Sequence, residues 1–237
     1  MIVVVGLAFE ARIAAGLGSQ VICAGLGRDL AGAIGRAVTP TSRGLISFGV
    51  CGGLAPGLRP GSCVIASAVR SQNGRFATDV HWSQRLLEAL PDAIHGELVG
   101  VPGPLAEPQS KQALHAQTGA LAADMESHVV AEAAAAHGLP LAAIRVVTDP
   151  AGRPLPRAAL AAMRADGTVD IRAMMRVLAR TPRDLGLLWR TALDARAAHA
   201  TLRRSRRVLS ASIGAPEVCG LQPAFGPFAS GAMQPAE

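Results

Sequence analysis

Short β-branched runs alternate with Ala-rich stretches along most of this chain, and that alternation is the strongest constraint on its fold. Apolar runs at 2–6, 20–24, 44–49, 62–69, 96–101, 119–123 and 141–147 read as strands. The stretches 9–16, 28–38, 80–90, 109–117, 126–137, 170–180 and 182–208 read as helices. Such alternation predicts an α/β layered domain. Several strands are apolar nearly throughout, as in a central sheet covered on both faces. Residues 62–69 have a second reading, a hairpin-like extension of that sheet. With 237 residues, 50% apolar and 17% charged, the chain can bury a sizeable core in one domain. Aromatics are only 3% and Tyr is absent, so Ala, Val and Leu must fill that core.

The net charge of +6 is unevenly spread. Residues 145–207 hold fourteen Arg and five Asp, a net of +9, and Lys111 is the only lysine of the chain. Two readings fit this basic block: solvated helix faces, or peripheral contact with an anionic membrane. Nucleic acid is disfavoured, because no aromatics are interleaved and no reading motif is present. Cys23, Cys51, Cys63 and Cys219 form no CxxC pair and lack His at metal-ligand spacing, so no metal is expected. The start, Met1 to Gly6, lacks the basic n-region of a signal peptide, and no apolar run is long enough to span a bilayer. A cytoplasmic location is expected, with the inner membrane face as its peripheral alternative. Residues 181–209 read as one long basic helix beside the main domain, and 210–237 as a weakly ordered tail rich in Ala, Gly, Pro and Ser.

Two carboxylates stand at element boundaries. Glu126, in Ala123-Asp124-Met125-Glu126-Ser127, opens a helical stretch; Asp149 follows the apolar run 141–147. Ligands of open α/β sheets gather at the carboxyl ends of strands, so an acid there is well placed for chemistry. One carboxylate can hold a sugar while the other handles a proton, a division of labour that suits cleavage of a nucleoside's glycosidic bond. Each acid also has a structural reading: Glu126 as a helix-start charge, Asp149 as a turn cap. Glu10, one turn after the first strand, reads as a helix-start acid or as a base that activates water. The run Ser47 to Leu54 is rich in glycine, which either serves a tight turn or lets the backbone approach a ligand. Neither it nor Gly25-Leu26-Gly27-Arg28 satisfies the dinucleotide fingerprint.

In chain order these segments are Gly6 to Glu10, Gly25-Leu26-Gly27, Gly49-Val50-Cys51-Gly52-Gly53-Leu54-Ala55-Pro56, Asp124-Met125-Glu126 and Arg145-Val146-Val147-Thr148-Asp149. Their order over residues 1–180 resembles the purine nucleoside phosphorylase and methylthioadenosine/adenosylhomocysteine nucleosidase superfamily. Asp124 to His128, Asp149-Pro150-Ala151, Leu155-Pro156, Asp166 to Asp170 and the Arg-rich C-terminal helix are most similar to its hopanoid-associated branch. That branch is implicated in removing adenine from adenosylhopane.

The resemblance implies a three-layer nucleoside-phosphorylase-like domain with a central mixed sheet flanked by helices. It implies that Asp149 addresses the purine N7, Glu126 the ribose hydroxyls, Met125 the sugar face and Glu10 the attacking water. Asp124, Val50, Gly52, Gly53 and Arg28 are carried over as the surrounding binding residues. A small nucleoside, lipid-linked in this branch, is the implied partner; a homodimer is implied and no cofactor. One departure bears on the reaction. Phosphorylases of the superfamily place Arg and a hydroxyl residue ahead of the glycine pair to bind phosphate, where this chain has Ser47 and Val50. Water is therefore favoured over phosphate as the attacking group. The alternatives are phosphorolysis, a methylthioadenosine/adenosylhomocysteine-type nucleosidase and a purine binder without catalysis.

Overall fold

Ile2–Val5, Leu45–Gly53 and Leu141–Asp149 are strands β1, β3 and β8, and their side chains alternate between two apolar layers. Ile2, Val4, Leu45, Leu141 and Ala143 face one layer; Val3, Val5, Ile46, Phe48 and Ile144 face the other. Both sheet faces are thus buried, as the unbroken apolar runs predict. The computed structural model describes residues 1–15, 20–23, 29–164 and 167–210.

Between and after these strands lie α1 (Ala8–Ala14), β2 (Gln20–Cys23), α2 (Leu30–Ala37), β4 (Cys63–Ser71), β5 (Gly74–Ala77), α3 (Val80–Ala89), β6 (Ile94–Gly100), α4 (Pro108–Thr118), β7 (Ala122–Asp124) and α5 (Ser127–Ala136). After β8 come α6 (Arg157–Ala162), α7 (Ile171–Arg180), a 3₁₀ turn (Pro182–Asp184) and α8 (Leu185–Ser210). α2 and α5 cover one sheet face through Ile34, Val130, Ala131 and Ala134. α3 and α8 cover the other through Trp82, Leu86, Ala198 and Leu202. The architecture is a central mixed sheet between two helical layers.

β2, β1 and β3 run parallel as one wing of the sheet. The rest closes on itself: β3 pairs β8 in parallel, β8 pairs β4 antiparallel, β4 pairs β6 and β6 pairs β7 in parallel, and β7 returns antiparallel to β3. This closure sets the site, because it brings the ends of β7 and β8 to either side of the same glycine.

Several boundaries differ from the sequence reading. β3 continues four residues beyond Gly49, so the glycine-rich run lies in a strand and not in a turn after it. β8 extends to Asp149, so this acid is the last residue of a strand. β5 and α6 were not anticipated: β4 stands in the sheet between β6 and β8, as the first reading of 62–69 expects, and its end also forms a hairpin with β5 through Gln72-Asn73. The expected helix 182–208 opens with a 3₁₀ turn. Among the described residues no helix is long and apolar enough to cross a membrane.

Candidate active site

Gly52 is paired with Ala123 of β7 on one side and, past a bulge, with Asp149 of β8 on the other. A Cβ on Gly52 would stand 3.1 Å from Oδ2 of Asp149. The glycine therefore lets Asp149 approach β3, which on its other side pairs with β7, the strand that holds Asp124. Gly53 meets a different demand: its Cβ would meet Val147 and the main chain of Asp149, a packing constraint away from the cavity. Gly49 makes room for chemistry, since a Cβ there would stand 2.5 Å from Oε1 of Glu10 and 2.7 Å from Nη1 of Arg145.

Arg145 is the centre of the site and is wholly buried. It falls in β8 at the parity of Leu141, Ala143 and Val147, so its guanidinium points into the layer where α5 begins. A buried guanidinium must find anions and acceptors. Nε lies 3.2 Å from Oδ2 of Asp124 and donates to Ser127 Oγ; Nη1 lies 3.2 Å from Oε2 of Glu126 and donates to the carbonyl of Val50; Nη2 donates to Ser47 Oγ at 2.6 Å. Burial disfavours its charge, but Asp124, Glu126 and Glu10 outweigh that and hold its proton more tightly than usual.

Three carboxylates share this one cation. Glu10, 1% exposed, is the third residue of α1, and its Oε2 reaches back to accept from the amides of Gly6 and Leu7. Its Oε1 accepts from the amide of Val50 at 2.7 Å, tying the start of α1 to β3. Burial raises its proton affinity against the pull of Arg145 and these amides. Glu126 occupies the N-cap position of α5. Burial pushes its pKa up to about 7, opposed by Arg145 and reinforced by Asp124 and Glu10. Its carboxyl fills the space left by Gly6, where a Cβ would be 2.3 Å from Oε1. Asp124 works from behind: Oδ1 accepts from the amides of Glu126 and Ser127, capping α5, while Oδ2 faces Arg145.

Asp149 has a partner of its own. Lys111, on α4 and fully buried, places Nζ 2.6 Å from Oδ2, and also donates to the carbonyls of Pro150 and Arg153. Thr148 Oγ1 donates to Oδ1 at 2.9 Å. Burial raises the Asp149 pKa while Lys111 and Thr148 pull against it; burial prevails. The loop 150–156 is thereby pinned from one side by Lys111, and from the other by an ion pair between Arg153 and Asp194 of α8.

Glu10, Val50, Gly52, Asp124, Met125, Glu126 and Asp149 all line one cavity of about 290 Å³, joined there by Lys111 and Thr148. Its other walls are apolar, including Phe9, Leu105, Leu155 and Met163, with His199 stacked on Phe9 at 4.2 Å between ring centroids. Arg28 lies outside the described residues, as does the turn before it. Sequence reasoning missed Arg145 and Lys111. Each carried a signal: an arginine inside an otherwise apolar strand, and the sole lysine of an arginine-rich chain. Among the described residues no group of His, Cys, Asp or Glu is arranged to hold a metal ion.

The polar end of this cavity can grip hydroxyls and present a proton. Residues 20–180 match the model of the phosphorylase superfamily. The fold resembles that of the methylthioadenosine/S-adenosylhomocysteine nucleosidase from S. pneumoniae bound to a transition-state inhibitor, with TM-score 0.61 and 17% identity over 90% of this chain and 98% of that one. A Helicobacter pylori nucleosidase variant with 5′-methylthioadenosine in its active site gives TM-score 0.61 at 11% identity, over 88% and 95% of the two chains. Futalosine hydrolase of Helicobacter pylori gives 0.54 at 14% identity, over 62% and 87%. No curated protein matches the chain by sequence. With two thirds of its length matched to the family model and its acids in one cavity, the chain belongs to the phosphorylase superfamily and is a glycosyl-bond-cleaving enzyme.

Proposed function

We propose that the enzyme hydrolyses the N-glycosidic bond of an adenosine-type nucleoside, releasing adenine. The observation that carries this reading is that Glu126 and Asp149 line the same cavity, with Glu10 at its wall. The bond breaks through an oxocarbenium-like sugar. Asp149, whose burial favours its protonated form, delivers a proton to N7 and so makes adenine a better leaving group, a contribution of about 10²–10⁴-fold. Glu126 accepts from the ribose hydroxyls with Met125 against the sugar. The carboxylates around Arg145 add negative potential where positive charge develops. Glu10, oriented by three amides, takes the proton of the attacking water.

Water is favoured over phosphate on electrostatic grounds. Among the described residues lining the cavity, Lys111 is the only fixed cation, and it is bonded to Asp149. The amide of Val50, a natural anion donor, is already given to Glu10. A phosphate dianion entering beside Glu10 and Glu126 would meet two carboxylates and, among the described lining residues, no unpaired cation.

The 5′ end of the nucleoside faces the apolar walls, which suits a bulky hydrocarbon substituent such as that of adenosylhopane. The amino-acid tail of adenosylhomocysteine would need charged partners, and the described walls beyond Asp149 supply none. Methylthioadenosine is the second reading, because its small apolar 5′ group fits the same walls. Pairing into a homodimer belongs to this proposal and is read by sedimentation velocity. The test is to incubate purified enzyme with adenosine, methylthioadenosine, adenosylhomocysteine and adenosylhopane, with and without phosphate, and to quantify adenine. Phosphate-independent release with the highest kcat/KM for the lipid nucleoside is expected. Release only with phosphate makes the enzyme a phosphorylase; no adenine from any substrate makes the protein a purine binder.

A further inference from the structure

Most of the large apolar side chains exposed on the described surface lie in one stretch, from Met163 to Leu193. Helix α7 has no buried residue and packs chiefly against the short α6. Its Ile171 and Met175 stand one turn apart and exposed, and Arg172, Arg176 and Arg180 repeat the same spacing one position on. A row of arginines therefore runs beside a row of apolar side chains on one helix. At the start of α8, Leu185, Trp189 and Leu193 form a second exposed row, with Trp189 66% exposed.

The first of these rows leads to the cavity. Met163 and Val169 line it and are themselves exposed, Val169 by 64%, and Ile171 follows two residues later. Ala195 and His199 line it from the other face of α8. The apolar surface thus begins where the cavity opens to solvent. Arg172, Arg176 and Arg180 make no ion pair among the described residues.

From this geometry we infer that α7 and the first turns of α8 form a docking surface for an anionic phospholipid bilayer, with the mouth of the cavity turned towards the membrane. An apolar row inserts at the headgroup boundary while the neighbouring arginines meet lipid phosphates. The exposed Trp189 at the start of α8 suits that interface, where its apolar ring and polar N–H are both accommodated. A second copy of the chain is the poorer occupant, since its α7 would bring three more arginines and no acid of that helix to pair with them. The inference concerns the surface alone and does not depend on the chemistry within the cavity.

Vesicle flotation of the full chain tests it, with phosphatidylcholine vesicles set against vesicles that also contain phosphatidylglycerol. The wild type should float with the anionic vesicles only, and less so as salt rises. Each arginine near such a surface contributes roughly five-fold to partitioning, so the triple substitution R172Q/R176Q/R180Q should weaken it by about 10²-fold. The pair M175S/W189S should abolish insertion even at low salt. None of these residues lines the cavity, so both variants should keep wild-type melting and wild-type cleavage of a soluble adenosine derivative, which separates lost docking from a lost fold. Vesicle binding by either variant equal to wild type, or no binding by the wild type, overturns the inference. A wild-type dimer that M175S/W189S splits, without vesicle binding, assigns the surface to a second copy and overturns it as well.

Discussion

Replacing Glu126 with Gln should stabilise the resting protein at alkaline pH while disabling it. In the folded state the Glu126 pKa is pushed from 4.5 to about 7, first by burial and then by Asp124 and Glu10, against the pull of Arg145. The folded form therefore binds this proton more tightly than the unfolded chain. Stability from that proton is fully present below about pH 4.5 and is lost as pH rises through about 7. At 1.36 kcal/mol per unit, the loss approaches roughly 3 kcal/mol. Gln has no such proton to lose, and its carbonyl can still accept from Nη1 of Arg145, which keeps Asp124 and Glu10 as anions. The variant should match the wild type near pH 5 and exceed it near pH 8 by about 2–3 kcal/mol, which for a chain of this size is on the order of 4–12 °C in Tm. Urea unfolding of both proteins at the two pH values reads the difference, and adenine release reads the loss of activity. A variant that is less stable than wild type at pH 8 would mean that Glu126 and Arg145 form a net-stabilising pair, and the account of a strained, carboxylate-rich site would be wrong. A gain of this kind bought with activity is the expected trade at a functional site.

Three further outcomes follow from the geometry. Lys111→Met removes the cation that lowers the Asp149 pKa, so the alkaline limb of the kcat/KM profile should move to higher pH; the broken buried pair should also cost about 3–5 kcal/mol, less at acid pH where Asp149 is neutral. Arg145→Met leaves three buried carboxylates without their cation, and circular dichroism should show an unfolded chain at neutral pH that regains structure as the pH falls. Gly6→Ala places a methyl where the Glu126 carboxyl sits, 2.3 Å from Oε1; activity should fall by at least an order of magnitude more than Tm suggests, because Glu126 must swing away from its ribose position, and unaltered kcat/KM would refute that placement.

Much of this molecule is legible in the chain, and the gaps have identifiable causes. The two-faced strands could be read because burial on both sides leaves an uninterrupted apolar run, as at Ile2–Val5 and Leu141–Val147. Glu126 and Asp149 could be read because the order of their segments along the chain resembles a known family, although each acid alone also has a structural explanation. The ends of β3 and β8 were harder. Gly52, Gly53 and Asp149 look like turn residues, yet the closure of β3, β8, β4, β6 and β7 keeps them in the ladder. Tertiary pairing overrides local propensity there. β5 had a local signal in Asn73-Gly74, a strong hairpin dipeptide, while the six residues of α6 are too few for a helical period to emerge.

Arg145 and Lys111 escaped for a different reason: their meaning lies in partners far along the chain. Arg145 meets Ser47 and Asp124, and Lys111 meets Asp149. No spacing rule links such pairs. The presence of a charge in a doubly buried strand was still readable, and it demanded compensating anions nearby.

The most direct test of the central claim is the single-turnover rate of adenine release by wild type and Asp149→Asn in phosphate-free buffer, with nucleoside affinity measured in parallel. The proposed proton transfer to N7 predicts a rate lower by about 10²–10⁴-fold in the variant, with binding largely kept. A variant that releases adenine within a few-fold of the wild-type rate would contradict it, and so would a wild type that releases none until phosphate is added.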